Sequence, residues 1–114
     1  MNQTIQTIGD MSKADKIRAV LQSKLAHAQR METMAQLYYN QSAKASRRAW
    51  DSVQGMAPVD YPRYTMAEYR ALSDQAVRAY RILESRRDAT DSARVQLASV
   101  EYTIDLVCDG DNRK

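Results

Sequence analysis

The chain has 114 residues, of which 44% are hydrophobic and 27% charged, with a net charge of +3 at pH 7. That apolar share argues against wholesale disorder, the length sets a single domain, and the charge falls well short of an obligate nucleic-acid binder. No apolar run approaches the roughly 18–20 residues that cross a bilayer, and a lone cysteine, Cys108, excludes an intramolecular disulfide.

Residues 1–11 read as a flexible N-terminal arm. Thr4-Ile-Gln-Thr-Ile8 is short and β-prone, and Gly9 separates it from the first helix. With no basic n-region and no apolar h-region, no signal peptide is expected, and cytoplasm is the default location. Residues 12–110 form one helical domain, divided into a helix over 12–54, a turn over 55–64 and a second helix over 65–109, with a tail at 111–114.

The first helix starts at Ser12, with Asp15 completing a variant capping box. Neither Gly nor Pro interrupts Asp10 to Gln54. An apolar row then recurs in alternating steps of four and three: Ile17, Leu21, Lys24, Ala28, Met31, Ala35, Tyr38, Ser42, Ala45 and Ala49. Val20, Leu25, Met34 and Tyr39 widen it. The opposite face is polar, so one side of the helix is buried.

Gly55 to Pro62 mark the turn, which two prolines stiffen. Two readings of its tyrosines stand side by side. Tyr61 and Tyr64, with Arg63 between them, stand out as a recognition tip, or they fold back beside Trp50 to cap the end of the helices.

The second helix opens on Thr65-Met-Ala-Glu68, a capping box. Its row reads Leu72, Ala76, Ala79, Leu83, Arg86, Thr90, Ala93, Leu97, Val100, Ile104 and Val107, with Gly110 as the closing cap. Both rows have weak points, at residues 40–42 and 86–91, where a kink or break would divide the helices. The short connection forces antiparallel neighbours, so residue n lies roughly opposite residue 119 − n. Leu97 then faces Leu21, Leu83 faces Ala35, and Arg86 meets Glu32 or Thr33. The fold class is all-α: two long helices in a coiled-coil-like antiparallel hairpin. A lone hairpin has a thin core, so dimerisation into a four-helix bundle, or docking on a larger protein, is expected to complete it.

Catalytic chemistry finds no support. His27 is the only histidine and has no Ser, Cys or carboxylate at helical contact spacing. Zinc needs ligands in sets of three or four, the Glu-x-x-His of di-iron bundles is absent, and scattered glycines make no phosphate loop. No cofactor, no metal and no catalytic residue are expected. Cys108 has Asp105 and Asp109 as neighbours, which disfavour a thiolate; Asp109 and Asp111 read as solubilising.

The charge distribution is more informative. Residues 44–81 hold seven Lys/Arg against four Asp/Glu, whereas residues 82–114 hold five against seven. Lys44, Arg47 and Arg48 share one side of the first helix, and the fold-back brings Arg70 and Arg78 near them. With Tyr61, Arg63 and Tyr64 they form the candidate partner-binding set, since Arg and Tyr favour interfaces. The expected function is a non-enzymatic protein-interaction module, an adaptor or inhibitor that forms a homo-oligomer and binds a larger partner with an acidic surface. A basic helical nucleic-acid-binding protein is the alternative, because a basic patch interleaved with aromatics can hold phosphates and stack bases. A structural coiled-coil component is the third. No membrane partner is expected.

Overall fold

The computed structural model describes the backbone of residues 2–112 and the side chains of residues 13–107. Two helices account for nearly all of it, α1 (Asn2–Val53) and α2 (Met66–Asn112), and no strand occurs among the described residues. They pack against one another as an all-helical hairpin. Neither breaks: both run without interruption through 40–42 and 86–91. Ala35, Ala49, Ala79, Leu83 and Ala93 are buried on the sides that the helices turn to each other. Burial on both sides of each weak point holds the helix there, where local propensity alone would allow a break.

The helix ends follow from local chemistry. α1 closes with a Schellman motif. Gly55 takes φ +72, its N–H bonds Ser52 O at 3.1 Å, and the Met56 N–H bonds Asp51 O at 2.8 Å. α2 opens with the expected box: Thr65 Oγ1 accepts from the Glu68 N–H at 3.2 Å, and Glu68 Oε1 accepts from the Thr65 N–H at 3.1 Å. The far ends differ from the sequence reading. α1 begins at Asn2, ahead of Ser12, and α2 reaches Asn112, past Gly110. A lone glycine costs a helix interior about 1 kcal/mol relative to alanine, too little to stop a helix at Gly9 or Gly110. The side chains of the expected arm (1–11), of Ser12, of Cys108, Asp109 and Asp111, and of the tail lie outside the described residues.

The chain divides into two compact units. The first, Arg30–Arg87, holds the turn and the flanking parts of both helices. Here Tyr39 meets Tyr80 with ring centroids 5.4 Å apart, and Trp50 meets Tyr69 at 5.0 Å. Both are the partners that residue n opposite 119 − n assigns. In the second unit, residues up to Gln29 pack with those from Asp88 onwards. Lys24 Nζ donates to Gln96 Oε1 at 3.2 Å, and Thr90 and Ala93 are buried.

The α2 row is the expected one: Leu72, Ala76, Ala79, Leu83, Thr90, Ala93, Leu97, Val100 and Ile104 are buried or half-buried, while Arg86 and Val107 are exposed. In the α1 row Leu21, Ala28, Met31, Ala35, Ser42, Ala45 and Ala49 are buried or half-buried, and the reading is corrected at Ile17, Lys24 and Tyr38, which are exposed. The residue after each of these three, Arg18, Leu25 and Tyr39, is half-buried instead. The reason is chemical at Ile17, where apolarity points to the isoleucine while the half-buried place is an arginine. The Arg18 stem can cover apolar surface; its Nε is covered, and Nη1 lies 3.8 Å from Asp15 Oδ1.

The core is small. Its fully buried side chains larger than alanine are Leu83 and Thr90. Alanines at a helix contact allow close approach, and four of the five buried apolar residues are alanine.

Candidate interaction surface

The unit Arg30–Arg87 carries 10 Lys/Arg against six Asp/Glu, a difference of +4. Its basic residues fall into distinct groups. On α1, Lys44, Arg47 and Arg48 line a shallow concavity of about 470 Å³ together with Tyr39, Asn40 and Ala43. Four-and-three spacing puts these side chains on adjoining turns. Arg48 is shared with a second cleft, of about 220 Å³, formed by the turn: Asp51, Ala57, Pro58, Tyr61, Pro62 and Tyr64 complete its lining.

The turn folds back onto the end of α1. The Tyr61 N–H bonds Pro58 O at 3.0 Å, and the Arg48 guanidinium lies 5.8 Å from the Tyr61 ring centroid, a cation–π contact. The Tyr64 N–H donates to Ser52 Oγ at 2.8 Å, and Tyr64 is half-buried. Trp50 pairs with Tyr69 of α2. Tyr61 and Tyr64 are therefore both tied to α1 by local contacts.

Of the residues singled out from sequence, the structure gathers Lys44, Arg47 and Arg48 in one concavity and Arg48, Tyr61 and Tyr64 in another. Arg63, Arg70 and Arg78 are exposed and line neither.

A further feature escaped the residue-by-residue reading. One flank of this unit carries both aromatic pairs. Tyr39 and Tyr80 are tilted at 57°, and Trp50 and Tyr69 at 43°; contacts of this geometry add about 0.5–1.5 kcal/mol beyond area burial. On α2 they belong to the row Tyr69, Ser73, Val77, Tyr80 and Glu84, and on α1 to Gln36, Tyr39, Ala43, Arg47 and Trp50, each spaced by three or four residues. The 119 − n register was the signal that could have revealed the pairing. Arg87 donates to Gln36 Oε1 at 3.0 Å, and Gln36 donates to Asn40 Oδ1 at 2.9 Å, which closes the row with polar contacts. A hydrogen bond to the Glu84 carboxylate, together with its negative charge, raises the Tyr80 phenol above its usual pKa of 10.0. On the opposite flank Gln75 donates to Tyr38 Oη at 3.0 Å.

Among the described residues no group of three or more His, Cys, Asp or Glu is arranged to hold a metal ion, and no helix is long and apolar enough to cross a membrane. Compared with protein-family models, with curated proteins and with solved structures, the chain matches none.

Proposed function

We propose that the chain is a non-enzymatic helical interaction module, an adaptor or inhibitor whose hairpin is completed by other surfaces: a second copy, in a four-helix bundle, and an acidic face of a larger partner protein. One observation carries this reading. Leu83 is the largest apolar side chain fully buried, while Met34 at 63%, Leu37 at 57%, Val77 at 48% and Trp50 at 39% stay exposed. A chain that hides alanine and displays methionine, leucine and tryptophan gains most of its apolar burial on association. The partner is acidic because the unit Arg30–Arg87 carries the positive excess.

Sedimentation equilibrium at micromolar concentration tests self-association, and a stable monomer contradicts it. Reversing Arg47 and Arg48 to Glu tests the partner surface. Binding is expected to weaken without loss of helicity, and an Asp109/Asp111 double variant is expected to bind normally. The concavity of Lys44, Arg47 and Arg48 beside Tyr39 favours nucleic acid as the second reading. Retention on single- or double-stranded nucleic acid that falls steeply with salt would support it over the first.

A further inference from the structure

The geometry points to the aromatic flank of the unit Arg30–Arg87 as a docking face for an acidic amphipathic helix about three turns long. This deepens the interaction-module reading and rests on it. The flank is bounded by the Tyr39–Tyr80 pair at one end and the Trp50–Tyr69 pair at the other. Tyr39 and Trp50 stand 11 residues apart on α1, which is about 16 Å at 1.5 Å per residue, or three helical turns.

Between the pairs lie Ala43 and Arg47 on α1 and Ser73 and Val77 on α2. Ala43 and Ser73 are half-buried, and Val77 and Arg47 are exposed. The concavity of Tyr39, Asn40, Ala43, Lys44, Arg47 and Arg48 opens on the α1 side of this flank, and a helix with an apolar stripe recurring every three or four residues can lie against Tyr39, Ala43 and Val77. The aromatics are pre-set by their mutual contacts, so an occupant need order few side chains of this chain on binding.

Charge selects the occupant. Lys44 and Arg47 edge the flank on α1, and Arg70 and Arg81 follow Tyr69 and Tyr80 in the sequence of α2. Asp51 on α1 and Asp74 and Glu84 on α2 lie in or beside these rows, and Glu84 faces the Tyr80 hydroxyl. The positive excess is on the α1 edge, where Lys44, Arg47 and Arg48 share one concavity, so an occupant with Asp or Glu beside its apolar stripe meets net positive charge there. A nucleic acid fits less well. The rings lean on one another, which takes up part of the surface that bases stack on, and Ala43 and Val77 between the pairs offer no stacking face.

Trp50 is the only tryptophan, so the flank reports its own occupancy. The experiment titrates the full chain with a lactam-stapled helical peptide of about 18 residues, Leu on one face and Glu on its edges. Binding is followed by Trp50 emission and by anisotropy of a label on the peptide. Saturable micromolar binding with a blue shift of Trp50 is expected, weakened by salt. Val77→Glu and Arg47→Glu should each raise Kd at least tenfold. Met34→Glu, on the other flank, should leave Kd unchanged, as all three positions are exposed and none closes the core.

Loss of binding in Met34→Glu with retention in Val77→Glu overturns the choice of flank and leaves the interaction reading standing. Displacement of the peptide by oligothymidylate overturns both. Equal binding of a Lys-edged peptide, or no binding at millimolar concentration, overturns the acidic-helix assignment. A dimer that Val77→Glu dissociates gives the flank to a second copy and also overturns it.

Discussion

Leu83 is the residue on which stability of the Arg30–Arg87 unit should depend most. It is 1% exposed, and Ala79 before it and Thr90 after it are fully covered but small. Leu83→Ala removes about three methylene equivalents, each worth about 0.8 kcal/mol when buried, or about 2.4 kcal/mol. A cavity term is normally added. Here it should be slight, because two helices enclose a side chain from few directions and the vacated space opens towards solvent. The expected loss is about 2.5–3 kcal/mol, at the lower end of the range for buried Leu→Ala changes. Against a typical total of about 5–15 kcal/mol, that lowers Tm by about 10–20 °C. Urea unfolding followed by circular dichroism at fixed protein concentration measures it, with concentration varied to separate association from folding. Two further variants calibrate the result: Leu25→Ala, in the covered row of α1, should exceed Ile17→Ala, whose side chain is 52% exposed. A loss below about 1 kcal/mol for Leu83→Ala, the level of an ordinary point mutation, or a larger effect at Ile17 than at Leu25, refutes this packing.

The remaining expectations concern caps, pairing and pH. Thr65→Ala removes the Oγ1 that accepts from the Glu68 N–H, and should lower stability by about 1 kcal/mol in the same urea assay. Glu32 and Arg86 are placed as neighbours by the fold-back register, and a double-mutant cycle should show coupling of up to about 1 kcal/mol, since Arg86 is exposed; additive effects would remove the pair. The Tyr80 phenol is held neutral by Glu84. Its raised pKa means that the contact's contribution is present at neutral pH and is lost as pH climbs past 10.0 through the folded-state value. Ultraviolet titration of Glu84→Gln should show Tyr80 ionising at lower pH than in the parent chain.

Much of the architecture was legible because its determinants are local. Thr65 and Glu68 announce the start of α2 by side-chain chemistry alone. Gly55 announces the end of α1 because the left-handed conformation it adopts suits glycine. The α2 row was legible because its positions are mostly apolar and the others, Arg86 and Thr90, are few. The α1 row was legible only in part, since half-buried Arg18 and Tyr39 stand beside Ile17 and Tyr38, which face outwards with Lys24 and Val20. Periodicity fixes the step but not the phase when polar residues sit in the seam. The basic cluster of the candidate site was readable from helical spacing. The aromatic flank was not, because it needs the phase of both helices at once, and an error of one residue on α1 moves Tyr39 from the seam to its edge.

The seam also bears on what the molecule does. In the unit Arg30–Arg87 its buried positions are Ala35, Ser42, Ala49, Ala79 and Leu83, while Met34, Trp50 and Tyr80 are exposed. Small side chains at a helix contact allow close approach, and larger ones then stand beside the contact. Enlarging a seam residue should therefore act on both. Ala49 is fully covered and lies one residue before Trp50. A leucine at that position would push the helices apart, at a cost of about 1–3 kcal/mol for overpacking, and would separate Trp50 from Tyr69 on the flank.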